Sequence, residues 1–128
     1  MKKFTVLSFV CLSLLLMLTA CAKSSQIRDC TLEEFHAARG KPDTVILDVR
    51  KASTMQDELK FIEGAVHLPL NILATNLEKV RKEANIYILS NDPQATVKAA
   101  NILADNGYGF IYRVEEGFDA YAAKYPLN

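Results

Sequence analysis

From Ile27 onward the chain alternates between short apolar runs and stretches with helical spacing. Val45-Ile46-Leu47 and Ile86-Tyr87-Ile88-Leu89 are continuous apolar runs, the pattern of strands buried on both faces. With them, Ile27 and its neighbours, Val45–Val49, Ala65–His67, Ile86–Leu89 and Phe110–Val114 are the expected strands. The expected helices are Thr31–Arg39, a short turn within Ala52–Leu59, Ile72–Lys82, Ala95–Asn106 and Phe118–Lys124. Ile72, Leu73, Leu77 and Val80 would give the third of these one buried stripe. Thr31-Leu32-Glu33-Glu34 has the spacing of a capping box, and Gly107 after Asn106 reads as a helix stop in the left-handed region. Strands alternating with helices imply an α/β domain with a mainly parallel sheet of about five strands, covered on both faces. Ligands of such sheets bind beyond the carboxyl ends of the strands. That edge is expected to carry Asp48, Arg50, Ser90 to Gln94, Glu115 and Glu116.

The amino terminus follows another logic. Lys2 and Lys3 precede a run from Phe4 to Met17 that is apolar apart from Thr5, Ser8 and Ser13. This is the layout of a processing signal, and the run is short of the roughly 20 apolar residues of a spanning helix. It ends in Leu18-Thr19-Ala20-Cys21, which resembles the lipobox of bacterial lipoproteins. The resemblance implies a signal peptide over 1–20, a lipid on Cys21, a short tether over 21–26 and one domain over 27–128. The alternative is an ordinary secretory signal cleaved near Ala20 or Ala22. A lipid-anchored chain belongs in a bacterial envelope. Without an aspartate after Cys21, the expected place in a Gram-negative host is the outer membrane, facing the periplasm. In a Gram-positive host it is the outer face of the single membrane. Lysines plus arginines and aspartates plus glutamates both number 15, with no basic stripe, so nothing points to nucleic acid.

Three separated blocks carry a second resemblance. They are Thr44-Val45-Ile46-Leu47-Asp48-Val49-Arg50, the segment from Phe61-Ile62-Glu63-Gly64-Ala65 to Pro69-Leu70, and Asn106-Gly107-Tyr108 through Val114-Glu115-Glu116-Gly117-Phe118. In order and spacing, over about Ile27 to Pro126, the chain resembles the rhodanese family, with Phe61 where a histidine is usual. The resemblance implies a three-layer α/β/α domain, with Asp48 and Arg50 bracing an active-site loop or simply pairing to fix a strand end. The family's loop is a cysteine, four residues, an arginine and then a helix. Placing Thr96-Val97-Lys98-Ala99-Ala100 on the family's helix start puts Ser90 at the cysteine and Ala95 at the arginine. Pro93 is then expected in the loop, where it offers no N–H to an anion. Glu116 replaces the first glycine of the family's closing pair, which leaves that turn open to alteration.

Sulfur transfer by the family's route needs a thiolate that becomes a persulfide, which a serine cannot do. As an acyl or phosphoryl nucleophile, Ser90 would need a neighbouring base. The histidines are His36 and His67, and only His67 falls near the crevice. Asp92, two residues past a strand, reads as turn chemistry. Cys11 falls within the signal and Cys21 would carry lipid, so Cys30 is the remaining thiol. It is either a buried filler or a reactive group activated by the following helix N-terminus. No metal-ligand spacing or cofactor motif is present. The reading is a membrane-anchored, non-catalytic interaction module with an envelope protein as partner. The loop Ser90, Asn91, Asp92, Pro93, Gln94 and Ala95 is vestigial and holds at most a small anion on its backbone donors. The alternative is a sulfurtransferase or thiol-exchange enzyme working through Cys30.

Overall fold

The computed structural model describes residues 24–53 and 60–128. Five strands form one sheet: β1 (Gln26–Cys30), β2 (Thr44–Asp48), β3 (Val66–His67), β4 (Asn85–Leu89) and β5 (Phe110–Val114). Their order is β1-β5-β4-β2-β3, and every pairing is parallel. The carboxyl ends of β2 and β4 therefore lie side by side, with Asp48 opposite Leu89. The short turn expected within Ala52–Leu59 falls mostly outside the described residues.

Strand alternation divides the core into two layers, as side chains with a period of two must. Leu47, Ile86, Ile88 and Ile111 point to one face. There they meet the helices α2 (Leu70–Leu73) and α3 (Pro93–Asp105), the latter through Ala99, Ala100 and Leu103. Ile46, Leu89 and Val114 point to the other face. That face is covered by α1 (Leu32–Ala38) through Leu32 and Phe35, and by α4 (Gly117–Lys124) through Phe118 and Tyr121. Each of the Leu, Ile, Val and Phe side chains among them contributes about 1.5–3 kcal/mol by leaving water. The expected three-layer α/β/α arrangement is the one found.

Helix α1 starts with the capping box that its sequence announces. The N–H of Glu34 donates to the Thr31 hydroxyl at 3.2 Å, and the Thr31 N–H donates to the Glu34 carboxylate at 2.9 Å. Gly107 adopts φ +82°, the left-handed stop expected after α3.

The continuous helix expected over Ile72–Lys82 is not formed. The chain makes one turn, α2, then a separate 3-10 turn at Leu77–Lys79. The cause is local: Thr75 Oγ1 and Asn76 Nδ2 both donate to the Ile72 carbonyl, at 3.1 and 2.8 Å. That carbonyl is the one a continuing helix offers to the Asn76 N–H, which turns to Leu73 instead. The Tyr108 hydroxyl, within 2.8 and 2.9 Å of the Leu77 and Val80 carbonyls, holds the irregular segment to the core. Leu73 and Val80 are still buried in one cluster, so the apolar stripe was read correctly and the helix was not.

Candidate functional site

The turn from β4 into α3 sits where parallel sheets place their ligands. Ser90 directly follows the strand and is buried. Helix α3 then begins at Pro93, two residues earlier than its apolar pattern indicated. Asp92 is its N-cap, accepting the Gln94 N–H on Oδ1 at 2.9 Å. Pro93 occupies the first helical position, where a missing N–H leaves no bond unmade. The expectation that Pro93 lies in an open loop is thereby corrected: it is the start of the helix. The N–H of Asp92 donates to Ser90 Oγ at 3.2 Å, and those of Ala95 and Thr96 to the Asp92 carbonyl at 3.1 and 3.4 Å. The N–H groups of Asp92, Gln94, Ala95 and Thr96 are thus bonded within the turn, and a carboxylate of the chain itself caps the positive end of α3.

A crevice of about 730 Å³ opens beside the turn. Ser90, Asn91, Asp92 and Ala95 form one wall, Val49 to Ala52 the floor, and Pro69 to Ile72 the far wall. Of the residues expected at this edge, Arg50, Ser90, Asn91, Asp92 and Ala95 come together here. Asp48 lies beneath, buried; Pro93, Gln94, Glu115 and Glu116 do not line the crevice. Lys51 and the wall from Pro69 to Ile72 were not anticipated. The segment follows β3, so the rule that ligand sites gather past strand ends would have flagged it had the two-residue β3 been given weight.

Asp48 and Arg50 form a buried pair. Arg50 Nε donates to both Asp48 carboxylate oxygens at 3.1 Å, and Nη2 to Oδ2 at 2.9 Å and to the Lys60 carbonyl at 2.8 Å. Its guanidinium carbon lies 3.3 Å from the centre of the Phe118 ring. The pair therefore fastens the end of β2 to the base of α4, a link that Phe118 alone did not advertise in the sequence.

The closing turn is intact despite Glu116, whose backbone is ordinary right-handed helical. The demanding position is Gly117, at φ +84°, where an added Cβ would lie 2.8 Å from the Ser90 carbonyl oxygen. Beside it, Asn91 Oδ1 accepts the Asp119 N–H at 2.8 Å, tying the β4 turn to α4. The alteration anticipated from Glu116 does not occur, because only the second residue of the pair takes the left-handed conformation.

Neither histidine serves Ser90. His67 Nε2 donates to the Arg50 carbonyl at 3.0 Å, and His36 Nδ1 pairs with the Tyr121 hydroxyl at 2.9 Å. Cys30 ends β1, two strands away from β4, and is buried with Leu32, Phe35 and Phe118. Its thiol is pushed up to about 12, first by burial and then by Glu34, Glu115 and Asp29. Of the two readings of Cys30, the buried filler is the one found: burial first, and then the Glu34 carboxylate that the capping box sets at that N-terminus, oppose activation by the helix. Among the described residues no group of three or more His, Cys, Asp or Glu could hold a metal ion, and no helix could cross a membrane.

The family model for the rhodanese-like domain matches residues 31–124. The chain is 24% identical over 104 residues to the thiosulfate sulfurtransferase GlpE of Tolumonas auensis, covering 81% of this chain and 96% of that one. It is 29% identical over 82 residues to the protein of the same name from Pseudomonas savastanoi pv. phaseolicola, covering 64% and 76%. Among solved structures, the Alr3790 protein of Anabaena sp. is similar with a TM-score of 0.64 at 27% identity, over 73% of this chain and 85% of that one. A rhodanese-related protein of Thermoplasma volcanium reaches 0.67 at 17% identity, over 79% and 97%, a likeness of fold alone.

Proposed function

Because the chain belongs to the rhodanese-like domain family, we propose that it has kept the family's fold and given up its sulfur transfer, and that it acts as an interaction module. One observation carries this reading: Ser90 stands at the end of β4 where the family resemblance puts the cysteine, with the N–H groups of Asp92 and Gln94 bonded within the turn. A serine forms no persulfide. The electrostatics agree, because Asp92, Glu116 and Asp119 are exposed around the turn and repel an anionic sulfur donor. The small anion expected at the loop has to displace the Asp92 carboxylate to use the Gln94 N–H. The crevice is largely apolar, through Val49, Pro69, Leu70, Ile72 and Ala95, and suits a side chain of a protein partner better than an inorganic anion.

The resemblance of Leu18-Thr19-Ala20-Cys21 to a lipobox supports an envelope reading, in which a signal peptide over 1–20 is removed, Cys21 is acylated, and an envelope protein is the partner. The relatives' names favour sulfur transfer, for which Cys30 is the thiol left to this domain, but a buried thiol held at about 12 offers almost no thiolate near neutrality. The deciding experiment is the intact mass of the full chain after incubation with thiosulfate. The expected result is no added sulfur, whereas sulfur recovered on Cys30 would establish the enzyme reading.

A further inference from the structure

Since all five strands are parallel, the sheet has an amino edge and a carboxyl edge with different company. We propose that the amino edge is the face this domain lays on an anionic lipid surface, so that the crevice is held on the side away from it. This rests on the acylation of Cys21 proposed above.

The chain is pinned to the amino edge at its first described residues. Ser25 Oγ donates to the Ala104 carbonyl at 3.3 Å and the Gln26 N–H to the Gly109 carbonyl at 2.8 Å. Cys21 stands four residues before Ser25, which allows a reach of about 14 Å at full extension. The five residues of β4 carry the crevice about 17 Å further along the sheet. A lipid on Cys21 therefore brings the amino edge to the bilayer, and its tether falls short of the crevice.

The surface chemistry of the two edges runs the same way. At the amino edge a shallow groove is bordered by Gln26, Lys82, Glu83, Gly107 and Phe110. Phe110 is 49% exposed, an apolar ring beside a lysine, as side chains at headgroup depth are arranged. Lys41, Arg81 and Lys82 are exposed at this edge and balance Asp43, Glu83 and Asp105. The carboxyl edge is acidic: Glu34, Asp92, Glu115, Glu116 and Asp119 are exposed there, against Lys51 and Lys60. Arg50 and Arg113 at that edge are already paired, with Asp48 and Asp29. An anionic surface repels the carboxyl edge within the screening length, about 8 Å at physiological salt, and tolerates the amino edge.

The test uses the full-length protein, purified from membranes and reconstituted in phosphatidylethanolamine vesicles containing phosphatidylglycerol. A fluorophore is placed at the amino edge by Glu83→Cys or at the carboxyl edge by Glu116→Cys, with Cys30 buried and Cys21 blocked by its lipid. Quenching by headgroup nitroxide lipids should be several-fold stronger for Glu83→Cys, and Phe110→Gln should reduce it. The mass of the N-terminal peptide reports acylation separately. An acylated chain with equal quenching at both probes, or no effect of Phe110→Gln, overturns the docking and leaves the anchor standing. An unacylated Cys21 overturns both.

Discussion

The N–H of Asp92 donates to Ser90 Oγ at 3.2 Å, and the Asp92 carboxylate in turn accepts the Gln94 N–H at 2.9 Å. Two residues thus close the turn on itself, so restoring a thiol does not restore an open cradle. We expect Ser90→Cys to fold and, after thiosulfate, to show no added sulfur by intact mass, like the wild type. A persulfide on Ser90→Cys would mean that the turn opens readily and that the missing nucleophile is the whole of the loss.

The Asp48–Arg50 pair is buried and also meets the Phe118 ring. Removing one partner strands the other charge, which costs about 3–5 kcal/mol for a buried pair. Arg50→Ala should lower the midpoint of urea unfolding accordingly. A change no larger than that of an exposed substitution such as Lys98→Ala would remove the brace from this account.

Gly117 and Gly40 both have positive φ, +84° and +82°, but only Gly117 is crowded, with the Ser90 carbonyl oxygen 2.8 Å from its Cβ position. Gly40→Ala should cost about 1–2 kcal/mol, the penalty of the left-handed region alone. Gly117→Ala should cost more in thermal unfolding and shift the amide signals of Ser90 and Asn91. Equal costs for the two would show that the β4 turn yields without resistance.

Cys30 has its pKa raised from 9.0 to about 12 by burial and nearby carboxylates. The folded state therefore keeps a proton that the unfolded state loses. This contribution to stability is complete below pH 9 and is lost as pH climbs toward 12. Cys30→Ala should flatten the decline of stability across that alkaline window, and native Cys30 should react with iodoacetamide far more slowly than the unfolded chain. Rapid alkylation of the native protein near neutrality would contradict the burial.

All five strands and three of the expected helices were legible, because strand alternation and helical stripes are local consequences of burial. Val45–Leu47 and Ile86–Leu89 read as central strands, and β2 and β4 lie at positions four and three of the sheet. The helix over Ile72–Lys82 was misread because its stripe is real while Thr75 and Asn76 take up the carbonyl that would propagate it. The start of α3 was misplaced because Asp92 and Pro93 were read as loop residues rather than as cap and first turn.

The sequence by itself determined the α/β class, the alternation that builds two core layers, the capping box of α1 and the absence of a thiol at Ser90. Those follow from residue identity and short-range spacing. Only the tertiary structure decided that Arg50 rests on Phe118, that Ser90 crowds Gly117, and that Cys30 is sealed beneath α1 and α4. These are meetings of residues far apart in the chain. They depend on which strand ends converge, and a parallel sheet fixes that only once all its crossovers are packed.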